Sequence, residues 1–164
     1  MKSWFPISCL LVLVALGGTA GSEPTQTVPD FKVARIGAHL YYESTGKMSR
    51  DVLSKPDFIL WNTVIGEGSA EAPSNTTLVV VEISCPKEQI NVPEKRKLAV
   101  KVTQGKKTLE SKTLEFPFVE ATGKIHMPMF VYGYNGELMK VTATITGQKQ
   151  ASTLTRTIDF RGGE

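Results

Sequence analysis

Along this chain apolar residues alternate with polar ones at every second position, segment after segment. No stretch sustains the three-to-four-residue spacing of a helix. The strongest segment is Leu78-Val79-Val80-Val81-Glu82-Ile83-Ser84-Cys85. It is short and rich in β-branched residues, preceded by an Asn-Thr loop and stopped by Pro86. Val79, Val81, Ile83 and Cys85 share one wholly apolar face, while Val80, Glu82 and Ser84 share a face that turns polar. The pattern predicts a strand lining the core of a two-layer β domain, with Cys85 packed inward.

The other segments follow the same logic. Residues 31–43, with Val33, Ile36, Leu40, Tyr41 and Tyr42, predict a strand bent by a bulge at Gly37. Residues 49–53 predict one helical turn with Ser49 as N-cap, ended before Pro56. Residues 58–65 predict a second strand, and 66–75 carry no periodicity, a loop of the length that is either functional or disordered. Leu98, Val100 and Val102 then alternate with Ala99, Lys101 and Thr103. Gln104-Gly105-Lys106 turns the chain, and 108–116 returns as a partner strand. Ile125, Met127, Met129 and Val131 share a face, and Pro128 on the opposite face marks an edge or a bulge. After the Asn135-Gly136 turn pair, Met139, Val141, Ala143 and Ile145 face inward. Leu154, Ile158 and Phe160 do so beyond a turn at Gly147. Seven or eight short strands predict an all-β fold, an antiparallel β-sandwich of immunoglobulin-like type, with a small β-barrel as the alternative. The disulfide of antibody-type domains is not expected, because the penultimate strand offers Val141 and Ala143 where the second cysteine would stand.

Composition changes the picture first at the N-terminus. Met1-Lys2, an apolar run over 5–16 and the small residues of 17–22 have the order of a secretory signal peptide, cut after Ala20 or Ser22. The run is too short to span a membrane, and Cys9 precedes most of it, which argues against a lipid anchor. The organisation expected is a signal peptide over 1–22, a polar, proline-bearing leader over 23–30 and one β-sandwich domain over 31–164. Of the 2 cysteines, Cys9 leaves with the signal and Cys85 remains alone. A single cysteine points to a bacterial periplasm or cell surface rather than eukaryotic secretion. Asn75-Thr76-Thr77 is a glycosylation sequon that only a eukaryotic source would use. The formal net charge of +3, or +2 once Lys2 is lost, is too mild for a nucleic-acid partner.

Candidate chemistry is sparse. No G-x-S-x-G or H-E-x-x-H pattern occurs, and Gly66-x-Gly68 lacks the further glycines and the helix of a phosphate loop, so neither an enzyme nor a cofactor is expected. His126, Met127 and Met129 have the ligand chemistry of an extracytoplasmic copper carrier. Strand geometry, however, points the methionines to one face and the histidine to the other, so convergence would need a bulge at Pro128. Cys85 among valines reads as inert packing. The lysines between Lys95 and Lys112 could meet an anionic lipid surface or an acidic protein. They also fit the ordinary role of lysines that keep edge strands from aggregating, the reading preferred here.

Aromatic residues give the richest set. Tyr41 and Tyr42 are adjacent, so both cannot face the core, and Trp61, Tyr132 and Tyr134 lie near glycine-containing turns. Asn62, Glu67 and Glu71 could add polar contacts. The function expected is an exported, non-catalytic binding module that contacts another envelope or surface protein. Its contact surface would be the 66–75 loop with Tyr41, Tyr42, Trp61, Asn62, Glu67, Glu71, Tyr132 and Tyr134 around it. A small-molecule or glycan-binding sandwich using Trp61, Tyr132 and Tyr134 is the second expectation, and copper handling the third.

Overall fold

The computed structural model describes residues 30–54, 58–60, 68–87, 95–116, 123–133 and 138–159. Eight strands run through them: β1 (Lys32–Tyr42), β2 (Lys47–Met48), β3 (Thr76–Ser84), β4 (Lys97–Gln104), β5 (Lys107–Glu115), β6 (Lys124–Tyr132), β7 (Met139–Thr146) and β8 (Ser152–Ile158). They form two open four-stranded sheets, ordered β2-β1-β3-β6 and β5-β4-β7-β8, with every pairing antiparallel. The molecule is therefore a β-sandwich and not a closed barrel. No helix among the described residues is long and apolar enough to cross a membrane.

The β-branched run at 78–85 becomes β3, which pairs with β1 on one side and β6 on the other. Its inward residues Val79, Val81 and Ile83 are completely buried. They meet the alternating residues of the opposite sheet, Leu98, Val100 and Val102 on β4 and Val141, Ala143 and Ile145 on β7, in one core cluster. Each full burial of such an aliphatic side chain contributes about 1.5–3 kcal/mol. Gly147 sets the β7–β8 turn with a φ of 76°. A Cβ there would run into the Lys95 carbonyl, so the turn requires glycine.

Several local expectations are corrected. The bulge in β1 falls between Val33 and Arg35, not at Gly37. The extra residue moves the inward set from Val33 to Ile36, Ala38, Leu40 and Tyr42. The helical turn is a 3-10 turn over Val52–Ser54, and Asp51, not Ser49, caps it, accepting the Leu53 N–H on its carboxylate at 3.1 Å. Ser49 instead accepts the Leu40 N–H on its hydroxyl, at 2.9 Å. Cys85 does pack against the core as expected, but it stands one residue past the end of β3 and is only half-buried, with burial raising its thiol pKa. Of the strand expected over 58–65, only residues 58–60 are described. The Asn135-Gly136 turn and Phe160 also lie outside the described residues.

Beyond its short pairing with β2, the outer edge of β1 is satisfied by side chains. Ala38 N–H donates to Asp51 Oδ1 at 2.9 Å and Val33 N–H to Ser152 Oγ at 3.0 Å. Phe31 N–H donates to Gln148 Oε1, and Gln148 Nε2 donates back to Phe31 O, both at 2.9 Å. Ser152 and Gln148 belong to β8 and its preceding turn, so β1 is held by both sheets.

Candidate functional site

The outward residues of β1, β3 and β6 build one face in cross-strand rows. Tyr41, Thr76 and Tyr132 form one row; His39, Leu78 and Phe130 the next; Gly37, Val80 and Pro128 a third; Arg35, Glu82 and His126 a fourth. Met48 on β2 extends the first row, opposite Tyr41. One end of the face is thus aromatic and aliphatic, and the other end is charged.

At the apolar end the rings contact one another. Tyr41 meets Phe130 edge-on with centroids 6.1 Å apart, and Phe130 stacks near-parallel on Tyr132 at 6.5 Å and 25°. Phe130 keeps 38% and Tyr132 64% of their surface exposed. A sandwich normally turns polar side chains to water on this side, so a run of three linked rings departs from the ordinary outer face and is the candidate contact surface. The second sheet differs: its outward residues on β4, β7 and β8 are Lys97, Ala99, Lys101, Lys140 and threonines.

Beside the rings, a groove of about 270 Å³ crosses the face, floored by Gly37 and Val80 and walled by Arg35, His39, Glu82 and His126. Gly37 makes room there: a Cβ would stand 3.2 Å from Asp51 Oδ2. The charges in the groove are matched within it. Arg35 pairs with Asp51, while Glu82 accepts Lys124 Nζ at 2.7 Å and lies 3.5 Å from His126 Nε2. The hydrogen bond from Lys124, opposed by partial burial and aided by its charge and by His126, holds the Glu82 carboxyl below the ordinary glutamate range. His39 Nδ1 sits 3.0 Å from the Ser49 carbonyl, which can only accept, so that nitrogen carries a proton. Among the described residues of this face, no nucleophile is aligned with a base.

The residues named from sequence divide clearly. Tyr41 and Tyr132 come together on this face, joined by Phe130. Tyr42 does not: it is 1% exposed, and its hydroxyl accepts the Glu71 N–H at 3.0 Å, so its role is to fasten the loop. Glu71 is exposed above a second cavity of about 260 Å³ shared with Tyr42, Arg50 and Phe58. Trp61, Asn62, Glu67 and Tyr134 lie outside the described residues. His126 points to water while Met127 and Met129 are buried at 7% and 4%, so the three side chains do not converge.

The described part of the 66–75 loop is stitched down. Ser69 and Ala70 N–H groups donate to the Ile59 carbonyl at 3.0 and 3.1 Å, and Ala70 is buried. Ser74 Oγ donates to Tyr41 O at 2.7 Å. The Glu43 carboxylate accepts both the Asn75 N–H and the Thr76 hydroxyl, at 3.1 and 2.7 Å. Burial raises the Glu43 pKa, but these bonds outweigh it and leave the group below its ordinary value. Sequence reasoning missed Phe130, Leu78, Met48, His39 and Arg35. Phe130 was within reach, since period two puts it on the outward face with Tyr132. The chain matches no protein-family model, and no curated protein matches it in sequence.

Proposed function

We propose that this chain is an exported, non-catalytic binding module that holds another extracytoplasmic protein on the outer face of its first sheet. The carrying observation is the ring series of half-buried Tyr41 with exposed Phe130 and Tyr132, on a face whose charges are already matched. Aromatic anchors flanked by polar groups are the composition of a protein-binding patch. Its place on rigid strands adds little ordering cost on docking. Export rests on the signal-like order of residues 1–22. The pairing of β1-β3-β6 against β5-β4-β7-β8 supports an immunoglobulin-type sandwich. The loop of residues 66–75 serves this reading as a brace for the Tyr41 end of the face. Deleting residues 68–74 would remove buried Ala70 and the Tyr42 and Ser74 bonds, and so lower stability as well as binding.

The test places a photo-crosslinking residue at Tyr132, and separately at Thr155 on the opposite face, in the producing cell. One adduct of defined mass from position 132 and none from 155 is the expected result. No adduct, or the same adducts from both positions, overturns the assignment. The near-parallel Phe130–Tyr132 stack also favours a second reading, since a flat apolar platform suits a sugar ring. A neutral oligosaccharide that raises the melting temperature of wild type but not of Phe130→Ala would select it.

A further inference from the structure

We propose that the outer face of the second sheet rests on a bilayer of anionic phospholipid. The observation is where its lysines stand. β4 and β7 are the two central strands of that sheet, and Lys101 and Lys140 point outward from them. Lys101 lies opposite Thr142 and Ser111, and Lys140 opposite Thr103 and Thr157, so both are neighboured by hydroxyls and not by carboxylates. Their diagonal register makes them neighbours on the face, with backbone positions roughly 7–8 Å apart. Among the residues of these four strands, the acid on this face is Glu115, which pairs with Lys97 at 3.4 Å.

Edge protection does not account for this pair of lysines. The edge strands carry their own charges at core-side register positions: Glu110 and Lys112 on β5, 3.7 Å apart, and Arg156 on β8 opposite Val141. Lysines at the centre of the face with no acid among their cross-strand neighbours leave that part of the surface positive, where an anion is attracted.

The hydroxyl-lined surface and the large exposed apolar residue at its end select the occupant. Both cavities line the first sheet's side, and the second face presents a plane of threonines, with Thr142–Thr155 at 3.1 Å and Thr144–Thr153 at 3.0 Å. Lys106 and Lys107 close the β4–β5 turn at the Lys140 end of the sheet. Leu138, 56% exposed, precedes β7 by one residue at that same end. Lys101, Lys140 and the turn lysine Lys106 beside one exposed leucine outnumber the acid at that end, exposed Asp159, and fit a plane of phosphates over hydrocarbon better than a single polyanionic strand. The ring-bearing face then points away from the membrane.

The protein purified from its producing cell would be sedimented with vesicles of phosphatidylglycerol and phosphatidylcholine, or of phosphatidylcholine alone. Binding to the anionic vesicles only, reversed by high salt, is expected. Lys101→Glu with Lys140→Glu should weaken it by roughly thirtyfold or more, from the charges removed near the leaflet. Lys32→Glu with Lys47→Glu makes the same change in net charge on the other sheet and should leave most of the binding intact. Equal loss in both double variants overturns the proposal, as does equal binding to both vesicle types or no binding at low salt. Protein captured by soluble polyphosphate but not by vesicles would identify the wrong occupant. Thermal melting of each variant shows that it is folded. An intact vesicle interaction with no crosslink at Tyr132 would remove the function proposed for the first sheet and leave this one standing.

Discussion

Single residues in the charged half of the first face decide its shape and its response to pH. Asp51 bonds Ala38 N–H and Leu53 N–H and pairs with Arg35, so one carboxylate holds the β1 edge, the 3-10 turn and a groove wall together. Asp51→Ala should lower stability in urea unfolding by about 1–3 kcal/mol, the cost of leaving part-buried donors unmet. Gly37→Ala should reproduce some of that loss, because its Cβ reaches the same carboxylate at 3.2 Å. The depressed Glu82 pKa means that folding favours its charged form. Its contribution is complete above the ordinary glutamate range and fades as pH falls through the lowered folded value. Urea titrations of wild type and Glu82→Gln should therefore differ most near neutral pH and draw together in acid. A gap that stays constant with pH would refute the role of the Lys124 pair.

Strands explain what could be read in advance and what could not. Period two marked β3, β4, β6 and β7, because burial on one face alone fixes which residues must be apolar. Ile83→Ala, at the buried end of β3, should accordingly cost about 2–5 kcal/mol in stability. Pro128 on β6 was correctly read as an edge signal, since β6 ends the first sheet. Replacing it with threonine should raise concentration-dependent association, measured by light scattering, because the edge gains a donor. The β1 bulge was misplaced because Gly37 is small for a tertiary reason, the approach of Asp51, and not for a backbone one. That bulge also decides that Tyr42 is inside and Tyr41 outside, a choice the adjacent letters leave open. The site was legible only by halves. Outward alternation links Phe130 to Tyr132, but Tyr41 and Leu78 join them through register between distant segments, which no local pattern encodes.

At the scale of the molecule the two outer faces have unlike chemistry, rings and matched charges on one side, lysines and hydroxyls on the other. Back to back, these faces are what the two proposals above would have one small sandwich present to two different surfaces. The polar stitching of β1 has a consequence in time. Phe31 bonds Gln148 and Val33 bonds Ser152 across 117 and 119 residues of chain, so the first strand to be synthesised needs the last hairpin before its edge is closed. Long-range closure of this kind is slow and comes late. A chain ending at residue 138 should show fast amide exchange at Phe31 and Val33, whereas the whole protein protects them. Closure of the β1 edge therefore reports that the β7–β8 hairpin is already in place, so a single amide in the first strand can serve as the clock for the whole fold.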